Sequence, residues 1–283
     1  MNILVCIKHA YVPSTNIALD KDPPWVRYNP MSFRMNTYDE YAIEEALRIK
    51  EHMLKNNEKT NVHVISIGPD RVEPIIRRAM EMGADEGIHI YHDNEGLLSP
   101  YQIAYLIASY AKDKQYSMIL TGVMAEDDMY MQTGQMIAGI LGYPHISSVI
   151  YQEVKMQNDQ ASRMDKDHGS GDSEDHRSNN YYVYVERECD AKQRQAFEIA
   201  MPCVLTIQSG INKPRYPSLS NVLRAKQQKI IKINAMDMQI PEARETIVRI
   251  FQPEMKPKGI FLNGTSQEKA IQLLKILHEK SFI

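Results

Sequence analysis

The residues with the most chemical promise form one run, Thr121-Gly-Val-Met-Ala-Glu-Asp-Asp-Met-Tyr-Met-Gln-Thr-Gly-Gln-Met136. It leaves an apolar stretch, crosses three consecutive acids (Glu126, Asp127, Asp128), and passes into a helical pattern of Met136, Ile137, Ile140 and Leu141. The first turn of a helix presents backbone N–H groups without intrahelical partners, and its dipole adds partial positive charge, so such a junction binds anions. Gln132 and Thr133 can add side-chain donors to a phosphate. The acids would repel a phosphate beside them; they suit ribose hydroxyls or donors on an adenine edge, or they cap the helix. A plain surface loop with an N-cap competes with nucleotide binding, because neither a Walker-type nor a GxGxxG glycine pattern is present.

Other chemistries find less support. Three adjacent carboxylates cannot all converge on one cation, and no further ligand is identifiable, so no metal site is expected. The histidines show no HExxH spacing, and no glycine-flanked nucleophile accompanies a Ser–His–Asp order, so no catalytic residue is assigned. Cys6, Cys189 and Cys203 are too widely spaced for a disulfide framework or metal knuckle and read as small apolar residues in a reducing compartment. A net charge of −3 with Lys and Arg spread along the chain argues against nucleic acid. Met1 to Ile7 is too short for a signal peptide, and no stretch approaches the roughly 20 apolar residues that span a bilayer. A cytoplasmic protein without direct membrane insertion is expected.

The elements that must position the run are legible from periodicity. Asn2 to Ile7 reads as a buried strand, and Thr37 with Glu40 has capping-box spacing ahead of Ala42, Ile43, Ala46, Leu47 and Leu54. Val62 to Ile67 is a strand closed by Gly68-Pro69; a helix follows through Ile75, Ile76, Ala79 and Met80, ended by Gly83. Gly87 to Tyr91 is a strand, Ser99-Pro100 opens a helix, and Tyr116 to Leu120 is a strand. This alternation predicts an α/β three-layer sandwich with a mostly parallel, Rossmann-like sheet. Ligands in such sheets bind beyond the carboxyl ends of the strands where strand order reverses, which directs attention to the loops after Ile7, Ile67 and Gly122.

Beyond Leu141, Ser148–Lys155, Tyr181–Glu188, Ala196–Ile199 and Cys203–Ile207 read as strands without intervening helices. Met156 to Asn180 holds six acids, three Lys or Arg and no Val, Ile, Leu or aromatic residue; a polar insertion at 156–180 forming a mobile hairpin tip is expected. Residues 209–229 are polar, broken by Pro214 and Pro217, then basic. The expected organisation is a nucleotide-binding domain over 1–233 and, over 234–283, a C-terminal arm with a final helix, Gln267 to Lys280. An irregular stretch as long as Asn234 to Lys258 fits a partner against which it lies.

In this order the segments resemble the beta subunit of electron transfer flavoproteins over nearly the whole chain. The carriers are Asn2-Ile-Leu-Val-Cys-Ile-Lys8, Ala42-Ile-Glu-Glu-Ala-Leu-Arg48 within 36–50, Ile65-Ser-Ile-Gly-Pro69, Ala79-Met-Glu-Met-Gly-Ala-Asp85, Gly122 to Met136, Val185-Glu-Arg-Glu188, Met201-Pro-Cys-Val-Leu-Thr206 and Asn212-Lys-Pro-Arg-Tyr-Pro-Ser-Leu-Ser-Asn221. The resemblance implies a nucleotide site on Cys6, on Asn36, Thr37, Tyr38 and Asp39, on Ile67, and on Gly122, Val123, Met124, Ala125, Glu126, Asp127, Asp128, Met129, Tyr130, Met131, Gln132 and Thr133. Its implied occupant is structural AMP, to which the Gln-Thr-Gly-Gln-Met ending is closer, or a second FAD as in electron-bifurcating members. The redox-active FAD would sit mainly on the larger alpha subunit. Pro214, Arg215, Tyr216 and Leu219 match a recognition loop, expected over 209–229, that docks partner dehydrogenases, with Leu219 as anchor, and Glu188 matches an acid facing the flavin domain of alpha. The implied role is an electron carrier, not an enzyme, taking electrons from acyl-CoA-type dehydrogenases of fatty acid β-oxidation to a membrane quinone oxidoreductase. Bifurcation, in which this chain's FAD accepts hydride from NADH, is the first alternative. A stand-alone adenine-nucleotide-binding protein is the second.

Overall fold

A computed structural model describes residues 1–12, 18–19, 26–27, 33–93, 98–156, 181–189, 193–251 and 259–283. The chain divides into two compact units, Met1–Ile247 and Val248–Ile283.

In the first unit β1 (Asn2–Cys6) is followed by two short antiparallel ladders. These pair β2 (His9–Tyr11) with β5 (Phe33–Met35), and between them β3 (Ala18–Leu19) with β4 (Val26–Arg27). Next, α1 (Thr37–Lys55) buries Ala42, Ile43, Ala46, Leu47 and Met53, a spacing of three and four that puts them on one helical face. β6 (Asn61–Gly68) and α2 (Glu73–Met82) follow, and Gly83, at φ +138°, terminates α2 in a conformation that disfavours residues with a side chain. After β7 (Glu86–Tyr91), α3 (Pro100–Ala111) opens with a reciprocal Ser99–Gln102 capping box. β8 (Met118–Gly122) leads through the acidic loop into α4 (Thr133–Leu141). Then come β9 (His145–Met156), β10 (Tyr181–Glu188), β11 (Arg194–Ala200) and β12 (Cys203–Ile207), and finally α5 (Leu219–Gln227) and β13 (Ile230–Asn234).

Nine strands form one sheet in the order β11-β10-β9-β12-β8-β1-β6-β7-β13. The seven from β9 to β13 are mutually parallel, and β10 and β11 add an antiparallel edge. Side chains alternate across the strands: Ile3 and Val5 of β1 pack with α1 and α2 on one face, while Leu4 and Cys6 pack with α3 and α4 on the other. The architecture is the expected three-layer α/β sandwich. The chain runs from β1 outward through β6 and β7, then returns to the opposite flank of β1 with β8, so the reversal of strand order lies between β1 and β8.

Several local expectations are corrected. Thr37 does not cap α1; Asn36 precedes the helix, and its side chain makes no bond to the helix amides because it reaches across to the acidic loop. Residues 209–229 are not loop throughout, because Ser218 accepts from the Asn221 N–H and starts α5 at Leu219. Ile230 to Asn234, absent from the sequence-based strands, pairs in parallel with β7 as the edge strand β13. The polar insertion lies outside the described residues from 157 to 180; Met156 and Tyr181, which flank it, pair across β9 and β10.

In the second unit α6 (Ser266–Glu279) begins at a Thr265–Glu268 capping box and leaves Ile271, Leu273 and Leu274 exposed. No described helix is long and apolar enough to cross a membrane.

Candidate functional site

The carboxyl ends of β1 and β8 are tied together by one buried side chain. Asp39, in the first turn of α1, accepts the Lys8 N–H on Oδ2 at 2.7 Å and the Gly122 N–H on Oδ1 at 3.1 Å. It is only 5% exposed, and burial raises its pKa to about 7 against the pull of those amides and of Asn36. The approach is close enough to require glycine: a Cβ on Gly122 would lie 2.4 Å from Asp39 Oδ1 and 2.7 Å from Tyr38 Cβ. Asn36, also buried, donates from Nδ2 to the Met124 carbonyl at 2.9 Å and accepts the Glu126 N–H on Oδ1 at 3.1 Å. The start of α1 thus holds both ends of the switch point and the first half of the loop after β8.

The acids of that loop face cations. Lys8 Nζ bonds Asp127 and Asp128, each at 2.7 Å, and Arg34 Nη2 lies 3.2 Å from Glu126. The Tyr11 N–H also donates to Asp127 at 3.3 Å. None of the three acids is the cap of α4, because Gln132 occupies the N-cap position and makes no side-chain bond to the helix amides. Ahead of it Met129 (φ 55°) and Met131 (φ 56°) sit in the left-handed region, and Met129, Tyr130 and Met131 are exposed. Unbranched residues held at positive φ store local strain, which concentrates at functional loops. Gly134 lets the first turn of α4 rest on the sheet: a Cβ there would meet Thr206 Cγ2 at 2.5 Å and Thr121 Oγ1 at 2.9 Å.

The structure brings Asn36, Asp39, Gly122, Met124 and Glu126 into direct contact with one another or through Lys8. Cys6 ends β1 beside them, its thiol held protonated by burial and then by the Asp39 charge. Thr37 and Tyr38 form the half-buried rim of the α1 start. Ile67 lies near the end of β6, next to β1 on its other side, and Val123 is buried with its N–H on the Ile207 carbonyl at 2.9 Å. Ala125 accepts the Met129 N–H, and Thr133 opens α4. Lys8 and Arg34 were missed as site residues. The available signal was charge: a cation in the first loop after the opening strand, facing three acids across a switch point.

Glu188 stands elsewhere, exposed at the end of β10 opposite Arg194. Pro214, Arg215, Tyr216 and Leu219 lie between β12 and the first turn of α5; Tyr216 and Leu219 are 90% and 76% exposed, whereas the Arg215 guanidinium turns inward to Glu44 and Glu51. Asp70, Glu73 and His89 bring three possible ligand atoms within 4.8 Å. Lys232 contacts both carboxylates there, so an ammonium already offsets part of their charge.

The chain is similar to known proteins of one family along most of its length. Residues 32–238 match the electron transfer flavoprotein domain. The beta subunit of the electron transfer flavoprotein of Methylophilus methylotrophus is 28% identical over 99% of this chain and 98% of its own length. The mitochondrial beta subunit of Arabidopsis thaliana is 30% identical over 94% of this chain and 95% of its own, and the Homo sapiens beta subunit is 28% identical over 94% of each. A matched domain spanning most of the chain, together with full-length relatives of one kind, means that this chain belongs to the electron transfer flavoprotein family as a beta subunit, an electron carrier component rather than an enzyme.

Proposed function

We propose that this subunit holds one AMP as a structural ligand at the junction of the β8 loop and α4, supports the FAD of its alpha partner, and docks acyl-CoA-type dehydrogenases through the segment around Leu219. The observation that carries the nucleotide assignment is the junction itself. It stands beside the strand-order reversal, and α4 begins there with no side-chain cap on its amides. Gln132 and Thr133 would add polar contacts to a phosphate. Lys8 and Arg34 offset two of the three neighbouring carboxylate charges, which weakens the repulsion against a bound anion.

The chain's own residues then have clear tasks. Asp39 and Asn36 fix the loop so that its amides are oriented before the ligand arrives, which reduces the ordering entropy lost on binding. Cys6, Ile67 and Tyr38 line the strand-side approach. FAD, when bound to the alpha subunit, supplies the redox chemistry; Glu188 is the acid placed toward its flavin domain. Electrons would leave for a membrane quinone oxidoreductase. Three unpaired cysteines fit a reducing compartment, and we place the protein in the cytoplasm.

The test is the identity and stoichiometry of nucleotides released on denaturing the purified heterodimer. One FAD and one AMP are expected. Two FAD and no AMP would replace this proposal with the electron-bifurcating role, and a soluble monomer of this chain with high adenine-nucleotide affinity would favour a stand-alone binding protein.

A further inference from the structure

The chain from β12 to β13 must travel from beside β8 to the far edge of the sheet, and it does so over α1 and α2. Along that path it is fastened by buried and half-buried polar side chains. On α1, Glu44 and Glu45 are 5% and 3% exposed, and each grips a different residue of the crossing segment. Glu44 takes the Arg215 guanidinium in a two-pronged bond, Nε to Oε2 at 2.8 Å and Nη2 to Oε1 at 2.9 Å, and also accepts the Arg215 N–H at 3.1 Å. Glu45 accepts Asn212 Nδ2 at 2.8 Å and Arg48 Nη1 at 3.1 Å on one oxygen, and Gln152 Nε2 at 2.8 Å on the other. On α2, Arg77 donates to the carbonyls of Ala225 and Gln228, while Arg224 of α5 donates to those of Met80 and Ala84.

Between these attachments Tyr216 and Leu219 project outward. A planar guanidinium held by two parallel bonds to a buried carboxylate fixes direction as well as distance. Orienting an exposed anchor in advance lowers the entropy lost when a partner closes on it.

We propose that Glu44 and Glu45 are positioning residues for dehydrogenase docking, and that Arg215 acts as the hinge-pin clamped by Glu44 rather than as a contact to the partner. The inference rests on the docking assignment of Leu219 made above. Glu44→Gln keeps the side-chain shape and removes the charge, and Arg215→Lys keeps the charge and removes the fork.

The purified heterodimer carries two measurements: amide hydrogen exchange over residues 211–222, and reduction by an acyl-CoA dehydrogenase charged with its acyl-CoA, with heterodimer concentration varied. Glu44→Gln is expected to accelerate exchange in that segment alone. It should raise KM for the heterodimer by roughly tenfold with kcat and flavin content little changed, equivalent to about 1.4 kcal/mol of docking energy. Arg215→Lys should give a smaller rise. Unchanged exchange in Glu44→Gln, or faster exchange with unchanged KM while Leu219→Ala raises KM, overturns the positioning role. An unchanged KM in Leu219→Ala overturns the docking assignment instead, and the exchange measurement still decides whether the clamp exists.

Discussion

Asp39 is enclosed by protein, yet both of its oxygens accept backbone amides, so two effects oppose one another there. The amides favour the anion and burial favours the acid; burial prevails and the pKa rises to about 7. A raised folded-state pKa means that the folded chain holds a proton which the unfolded chain has already released between about pH 4 and 7. Stability owed to Asp39 is therefore greatest below pH 4 and falls as pH rises to 7. In Asp39→Asn the difference from wild type should shrink over that window, with a slope of at most about 1.4 kcal/mol per pH unit. Urea unfolding at several pH values checks this, and a pH-independent difference would remove the assignment. At the opposite extreme of exposure, Leu219→Ala should slow electron transfer from an acyl-CoA-type dehydrogenase roughly tenfold, as truncation of an apolar anchor does, with flavin content unchanged. Stopped-flow reduction of the heterodimer is the measurement, and equal rates would sink the docking role.

Elements meet at the site through glycine and through capping. Gly134→Ala would push a methyl group into Thr206 and Thr121, lifting the first turn of α4 from β8 and β12. The expected loss is about 1–3 kcal/mol in denaturant unfolding, as for overpacked cores, together with reduced AMP content in the purified heterodimer. A variant with wild-type stability and full nucleotide content would show that the close approach is unimportant. Helix and strand existence was largely legible in sequence, as α3 illustrates, because Ser99 and Gln102 form their box within three residues. The start of α1 was misread for the complementary reason. Asn36 uses its side chain on Met124 and Glu126, some 90 residues away, and no local spacing carries that information.

For the whole molecule, the division at 247/248 makes a direct experiment. The expected domain division at 233/234 falls at the end of β13, whereas the first unit continues to Ile247. Removing Val248–Ile283 should leave the nine-strand core with cooperative thermal unfolding and weaken pairing with the alpha subunit, since α6 exposes Ile271, Leu273 and Leu274. Size-exclusion chromatography of the co-expressed chains reads this out, and an intact heterodimer would remove the arm from the interface. The sequence by itself determined the alternation of strands and helices and hence the layers, because burial periodicity is local and each strand or helix declares its own inward face; of the three loops it named, those after Ile7 and Gly122 flank the reversal and that after Ile67 does not. It also determined the family, because ordered motifs survive without knowledge of their contacts. Only the tertiary structure decided that Lys8 and Arg34 answer the acidic loop, that Asp39 ties β1 to β8, and that Arg215 turns in toward α1. Those facts depend on pairings between residues 31 to 171 positions apart, where side-chain direction and burial, not spacing, select the partner.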